Sequence, residues 1–71
     1  MTIEEASTVK KGDMIIYISD DWNDNIIDTP VIVTNIWKNN GNVTHFDVKP
    51  VNKKQAKIES AFAPISCFKF I

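Results

Sequence analysis

The chain has 71 residues but contains no leucine and no arginine. Isoleucine occurs eleven times, valine six times and threonine five times, whereas alanine, the best helix former, occurs only four times. Side chains branched at Cβ are stiff about χ1 and pack better on a pleated sheet than on a helix. The composition therefore predicts an almost all-β protein, and the length predicts a single domain over residues 1–71.

Cysteine and long apolar runs are also scarce. The single cysteine, Cys67, excludes an internal disulfide and fits a reducing compartment. The N-terminal segment MTIEEAST is acidic and polar, unlike a signal peptide. No apolar stretch approaches the roughly 18–20 residues that cross a bilayer. These features predict a cytoplasmic protein that makes no membrane contact.

The sequence lacks the residues that several kinds of catalytic site need. Zinc requires three or four converging ligands, but the chain has one histidine, His45, far in sequence from Cys67. The only glycines, Gly12 and Gly41, each stand in a predicted turn, so no glycine-rich phosphate loop exists. A G-x-S-x-G nucleophile elbow is also absent. We therefore expect no catalytic residues, no metal and no cofactor.

An acidic loop, SDDWNDNIIDT over residues 19–29, invites a calcium interpretation. Asp21, Asn23 and Asn25 fall at alternate positions, as in an EF-hand loop. Ile26 then stands where such a loop needs glycine, and Ile32 where it needs a bidentate glutamate. A solvated acidic loop is the better interpretation.

Apolar runs between turn signals predict five strands, at residues 14–18, 31–38, 43–49, 56–62 and 65–71. Residues 2–8 form either one helical turn capped by Thr2 or a loose lead-in. Asn40-Gly41, between two strand-like runs, predicts a type I′ hairpin turn. We expect Pro30 at the start of the second strand and a short 3₁₀ turn near Ala63-Pro64.

Alternation assigns faces to two of these strands. In the third strand, one face would carry Thr44, Phe46 and Val48, and the other His45, Asp47 and Lys49. In the fourth strand, the inward side chains would be Ala56, Ile58, Ser60 and Phe62. The second strand, VIVTNIWK, does not alternate cleanly, so Trp37 belongs either to the core or to the surface. Cys67 is expected to fill the core.

Five short strands without a covering helix would leave one sheet face bare unless the sheet closes on itself, which predicts a small, strongly bent barrel. VKKGDMIIYI, followed by Trp22, resembles the diverging-turn strand of SH3-like barrels, and FAPISCFKFI is similar to the way those barrels end. This resemblance covers about half the chain and implies a five-stranded SH3-like barrel. Because the leading strand and long acidic loop of SH3 domains are missing, it does not imply their proline-peptide site. An OB-like barrel is the alternative fold.

The acidic loop also supplies a candidate contact surface. Trp22 lies beside two isoleucines in a protein with little core to hide them, so these side chains either form a lid on the barrel or face outward. An outward arrangement would give an apolar centre with a polar rim, which is typical of protein contacts. The candidate protein-contact residues are Asp20, Asp21, Trp22, Asp24, Ile26 and Ile27.

Charge is unevenly distributed along the chain. Residues 1–37 carry two lysines and seven acids, a formal charge of −5, whereas residues 38–71 carry six lysines and two acids, a formal charge of +4. The lysines around the turn after the third strand are candidates for contact with nucleic acid, namely Lys49, Lys53, Lys54 and Lys57. A net charge of −1 and the lack of arginine weigh against that interpretation. A solvated turn whose lysines protect strand edges is the alternative.

These observations favour a non-enzymatic barrel that binds another protein. Small size and a bias toward residues encoded by A/T-rich codons would suit a phage-encoded accessory or host-directed protein. The alternatives are a nucleic-acid-binding barrel that uses the basic turn, and an accessory subunit of a redox or photosynthetic complex. Self-association through the opposite charges of the two halves, or through an open barrel edge, is a further expectation.

Overall fold

A computed structural model describes residues 1–19, 26–52 and 60–71, with side chains at all of these positions except 19, 26 and 27. A short helix, α1, precedes five strands, and a 3₁₀ turn joins the last two strands. In chain order the elements are α1 (Ile3–Ala6), β1 (Met14–Ser19), β2 (Ile26–Asn39), β3 (Asn42–Pro50), β4 (Ala61–Pro64), the 3₁₀ turn (Ile65–Cys67) and β5 (Phe68–Lys69).

All five strands belong to one antiparallel sheet, in the order β4-β3-β2-β1-β5. The all-β, five-stranded prediction is confirmed. Within the three described ranges, β4 and β5 are the two edge strands and no pairing joins them. Closure of the sheet into a barrel therefore stays a prediction.

Helix α1 is held by a reciprocal capping box. The Thr2 amide donates to the Glu5 carboxylate at 2.9 Å, and the Glu5 amide donates to the Thr2 hydroxyl at 3.1 Å. These bonds satisfy two of the amide groups that a helix start leaves without a helical partner. Of the two alternatives for residues 2–8, the capped helical turn is the one observed, and it buries Ala6 against the core.

The core lies on the inner face of the sheet and is built from branched and aromatic side chains. Phe68 from β5 contacts Tyr17 of β1, with ring centroids 5.0 Å apart, and Phe46 of β3, at 5.5 Å. Cys67 is buried beside them, as the sequence predicted. The remaining fully buried large side chains are Ile15, Val31, Val33 and Val48.

The β2–β3 hairpin turns at Asn40-Gly41, where φ is 53° and 82°. Both values lie in the left-handed region that a type I′ turn needs, so this prediction is confirmed.

Strand β2 starts at Ile26, five residues earlier than predicted. The backbones of Ile26 and Ile27 therefore belong to a strand, and Pro30 lies inside it. The Pro30 carbonyl accepts from the Val51 amide at 3.2 Å, so the proline nitrogen also points to the β3 side. The β2–β3 ladder starts at the next pair, Val31 and Pro50, so the missing N–H of Pro30 falls at the end of this ladder rather than inside it.

The predicted last strand is largely wrong. Pro64 leads into the 3₁₀ turn, and the Phe68 amide donates back to the Ile65 carbonyl, so residues 65–67 do not extend the sheet. Strand β5 has only two residues, and Phe70 and Ile71 follow it as exposed side chains. The 3₁₀ turn exists but begins just after Pro64 rather than at Ala63-Pro64.

Candidate binding surface

Three aromatic rings meet on the outer face of the sheet, away from the core. Phe62 of β4 stacks on His45 of β3 with ring centroids 4.8 Å apart and planes 4° apart. Trp37 of β2 meets Phe62 edge-on, at 6.0 Å and 88°. Offset-stacked and edge-to-face pairs are the arrangements that aromatic quadrupoles favour. We call Trp37, His45 and Phe62 the outer aromatic cluster.

The strand register explains why these side chains share a face. Trp37 lies opposite His45 in the β2–β3 ladder. Phe62 lies opposite Asp47 in the β3–β4 ladder, one step diagonal to His45. Diagonal neighbours in an antiparallel sheet are close enough for aromatic side chains to touch. The rings of Trp37 and Phe62 therefore reach toward each other from the two strands that flank β3.

A bulge on β2 decides which face Trp37 occupies. Val33 pairs with Val48 and Asn35 with Asp47, so Thr34 is an extra residue on β2. Each bulge shifts the alternation of its strand by one residue. The inward side of β2 consequently changes from Val31 and Val33 to Ile36, which leaves Trp37 outward.

The second bulge lies on β3. Trp37 pairs with His45 and Lys38 with Val43, so Thr44 is the extra residue. Val43 is therefore buried, and the prediction that Thr44 shares the inner face with Phe46 and Val48 is wrong. The other face is as predicted, with His45 and Asp47 half-buried and Lys49 exposed.

A carboxylate fixes the tryptophan in place. The Trp37 indole Nε1–H donates to Asp47 Oδ2 at 3.0 Å. This bond is diagonal across the β2–β3 ladder, and it orients the indole along the sheet surface. A hydrogen bond to an ionised acceptor is stronger than a neutral one, so it holds an otherwise mobile exposed ring.

The histidine is held by the β3 bulge. The Thr44 hydroxyl donates to the Trp37 carbonyl at 3.4 Å, and its oxygen lies 2.9 Å from His45 Nδ1. The Thr44 oxygen and His45 Nδ1 are therefore within hydrogen-bonding distance. This contact with the bulge residue Thr44 orients the His45 ring, which stacks on Phe62.

The cluster is accessible. Phe62 exposes 58% of its surface and Trp37 exposes 47%, while His45 and Asp47 are half-buried beneath and between them. Apolar side chains that are both exposed and held in one conformation suit binding, because little conformational entropy is lost when a partner covers them.

The sequence located this surface only in part. It assigned His45 and Asp47 to the solvent side, left Trp37 open, and placed Phe62 inside. Phe62 is outward because β4 buries the alanines on either side of it, Ala61 partly and Ala63 almost fully. Ser60, also predicted inward, is exposed. The signal that was available is the pair of small residues flanking Phe62, which pack on the core that contains Phe46 and Phe68.

The earlier candidate residues are mostly outside the described residues. Asp20, Asp21, Trp22, Asp24, Lys53, Lys54 and Lys57 fall there, as do the side chains of Ile26 and Ile27. Lys49 is described, and its exposed side chain lies two residues from Asp47 on the outer face of β3.

In the described part of the chain, no group of three or more histidine, cysteine, aspartate or glutamate side chains is placed to hold a metal ion. Among the same residues, no helix has the length and hydropathy of a membrane span. No protein-family model matches the chain, and comparisons with curated proteins and with solved structures found no significant match.

Proposed function

We propose that this protein is a non-enzymatic binding module that contacts another protein through the outer aromatic cluster. The observation that supports this most is the exposure of Trp37 and Phe62 in fixed, interlocked positions on a sheet face. Tryptophan and other aromatic side chains dominate the binding energy of protein interfaces when a partner covers them.

The surroundings of the cluster resemble the anatomy of such an interface. Polar side chains border the rings, with Thr34 and Lys49 exposed and Asn35 half-buried. A protein interface typically has an apolar centre and a polar rim that stays near water. The cluster thus replaces the acidic loop as the leading contact surface, while the residues of that loop remain a second candidate surface.

The fold class enters the same proposal. We place the chain among SH3-like barrels, supported by the 3₁₀ turn at Ile65–Cys67 and by the pairing of β5 with β1 that follows it. A small barrel of this kind has little interior for a substrate, which favours surface binding over catalysis. An accessory subunit of a larger complex would use the surface in the same way.

Nucleic acid is the second candidate ligand. Bases stack on exposed aromatic side chains, and Lys49 lies on the same face as the cluster. Asp47 opposes this candidate because its carboxylate lies among the rings and repels phosphate. Binding of a mixed oligonucleotide that falls steeply with added salt would favour this ligand over a protein.

A photo-crosslinking experiment tests the protein-binding proposal. p-Benzoylphenylalanine replaces Phe62 in one variant and Phe70 in a control, because Phe70 is also exposed but lies beyond β5. The partner that crosslinks at position 62 is then purified and its affinity measured directly. We expect Phe62→Ala to weaken this binding at least tenfold and Phe70→Ala to leave it unchanged. Equal affinities for both variants would refute the proposed surface.

A further inference from the structure

The outer aromatic cluster encloses a negative charge. Asp47 is half-buried, directly opposite Phe62, with the Trp37 indole bound to its Oδ2. A carboxylate offers about four acceptor positions on its two oxygens, and the indole N–H occupies one. The cluster therefore combines two partly exposed aromatic rings, which attract cations, with an anionic acceptor that has further capacity.

We propose that the outer aromatic cluster binds an arginine side chain of the partner protein. This inference rests on the proposed function, since it names the chemistry of the partner at that same surface. A guanidinium is planar, stacks on aromatic faces and donates to a carboxylate from the same plane. It would lie on the exposed ring of Trp37 or Phe62 and donate to Asp47.

Charge and geometry separate arginine from other ligands. A phosphate group would meet the Asp47 carboxylate with like charge, so a nucleic acid gains less at this position. A lysine ammonium meets the charge of Asp47 but does not stack, since it is a compact and strongly hydrated ion. An uncharged apolar side chain would cover the rings and leave the carboxylate beneath it less hydrated, which costs free energy.

The composition of the chain restricts which molecule can supply the arginine side chain. Because these 71 residues contain no arginine, a second copy of this chain cannot supply the ligand. The proposed occupant therefore comes from a different protein. Self-association, if it occurs, would have to use another surface or a lysine.

The test uses small probes and the complete chain. N-acetyl-arginine methylamide is titrated into ¹⁵N-labelled protein, with the citrulline analogue as a neutral control of nearly the same shape. We expect the arginine probe to shift the Trp37 indole resonance and the amides of His45, Asp47 and Phe62. Citrulline should bind at least tenfold more weakly. Equal shifts from both probes, or shifts confined to other residues, would overturn the inference.

Asp47→Asn supplies the decisive variant, because asparagine keeps an oxygen that can accept from the Trp37 indole. We expect arginine binding to weaken at least tenfold in Asp47→Asn, with the dispersion of the amide spectrum preserved. A thymidine decamer serves as the competing probe. If it binds the cluster and Asp47→Asn strengthens that binding, a nucleic acid is the ligand and the arginine inference is wrong.

The two proposals fail in different ways once the crosslinked partner is purified. If Phe62→Ala weakens its binding but Asp47→Asn does not, the protein-contact surface stands and the arginine inference falls. If neither variant changes the affinity, the contact surface itself is wrong. If both weaken it and Glu4→Gln, which removes an exposed carboxylate on α1, does not, both proposals are supported.

Discussion

Thr34 on β2 and Thr44 on β3 are the extra residues of two bulges that cancel each other. Between them lie three residue pairs, Asn35 with Asp47, Ile36 with Phe46, and Trp37 with His45. The first bulge shifts the ladder by one residue and the second restores it, so Asn40-Gly41 still closes a two-residue turn. The β2 and β3 residues of the outer aromatic cluster lie on the outer face of this short segment.

Replacement of Gly41 by alanine tests the turn that closes this ladder. The φ of Gly41 is 82°, and a Cβ built there would have no atom within 4 Å, so the cost comes from the backbone rather than from a clash. We expect Gly41→Ala to lower the free energy of unfolding by more than about 1 kcal/mol, measured by urea denaturation. Asn40→Gly is the matched control and should be neutral or stabilising, since φ at residue 40 is also positive.

A comparison of two phenylalanines tests which face is the core. Phe46 is fully buried, so Phe46→Ala should cost about 3–5 kcal/mol. Phe62 is mostly exposed and contributes mainly its ring contacts, so Phe62→Ala should cost only about 1 kcal/mol. Urea denaturation of both variants measures the difference. A larger loss for Phe62→Ala than for Phe46→Ala would mean that the faces of β3 and β4 are assigned wrongly.

These two sites also show what the sequence could predict. The Asn-Gly turn and the content of branched aliphatic residues predicted the hairpin and the all-β class, because both depend on local backbone preferences. The faces of Trp37 and Phe62 depend on register, and a shift of one residue reverses them. The bulge residues are ordinary threonines that no local pattern marks. A strand that alternates from Ala56 places Phe62 on the inner side, whereas β4 buries Ala63 and, in part, Ala61.

A double-mutant cycle tests the link between Trp37 and Asp47. Trp37→Phe removes the indole donor, Asp47→Ala removes the acceptor, and the double variant removes both. The 3.0 Å hydrogen bond should give a coupling free energy of about 0.5–1.5 kcal/mol in urea denaturation. A parallel cycle of Trp37→Phe with Lys49→Ala should show no coupling. Equal coupling free energies in both cycles would mean that the coupling does not come from the hydrogen bond between Trp37 and Asp47.

The capping box predicts a dependence of stability on pH. The pKa of the Glu5 carboxyl lies below the ordinary value of 4.5. The larger cause is its hydrogen bond with the Thr2 backbone amide, and the second cause is its hydrogen bond with the Thr2 side chain. When folding lowers the pKa of a carboxyl group, the group stabilises the protein at pH values above its pKa in the unfolded state. This stabilisation is lost as the pH falls through the pKa of the folded state. Wild type should therefore be more stable than Glu5→Gln at pH 7, with the difference shrinking below about pH 4.5. A difference that is constant from pH 7 to pH 2, in thermal denaturation, would contradict this role of Glu5.

The position of Trp37 is the central claim, and nuclear Overhauser effects test it most directly. In a Trp22→Phe variant, the single remaining indole belongs to Trp37. The structure predicts cross-peaks from its ring protons to the rings of Phe62 and His45, and a shift of its Nε1–H resonance in Asp47→Ala. Cross-peaks from that indole to Val33, Phe46 and Phe68 instead would place Trp37 in the core and contradict the account.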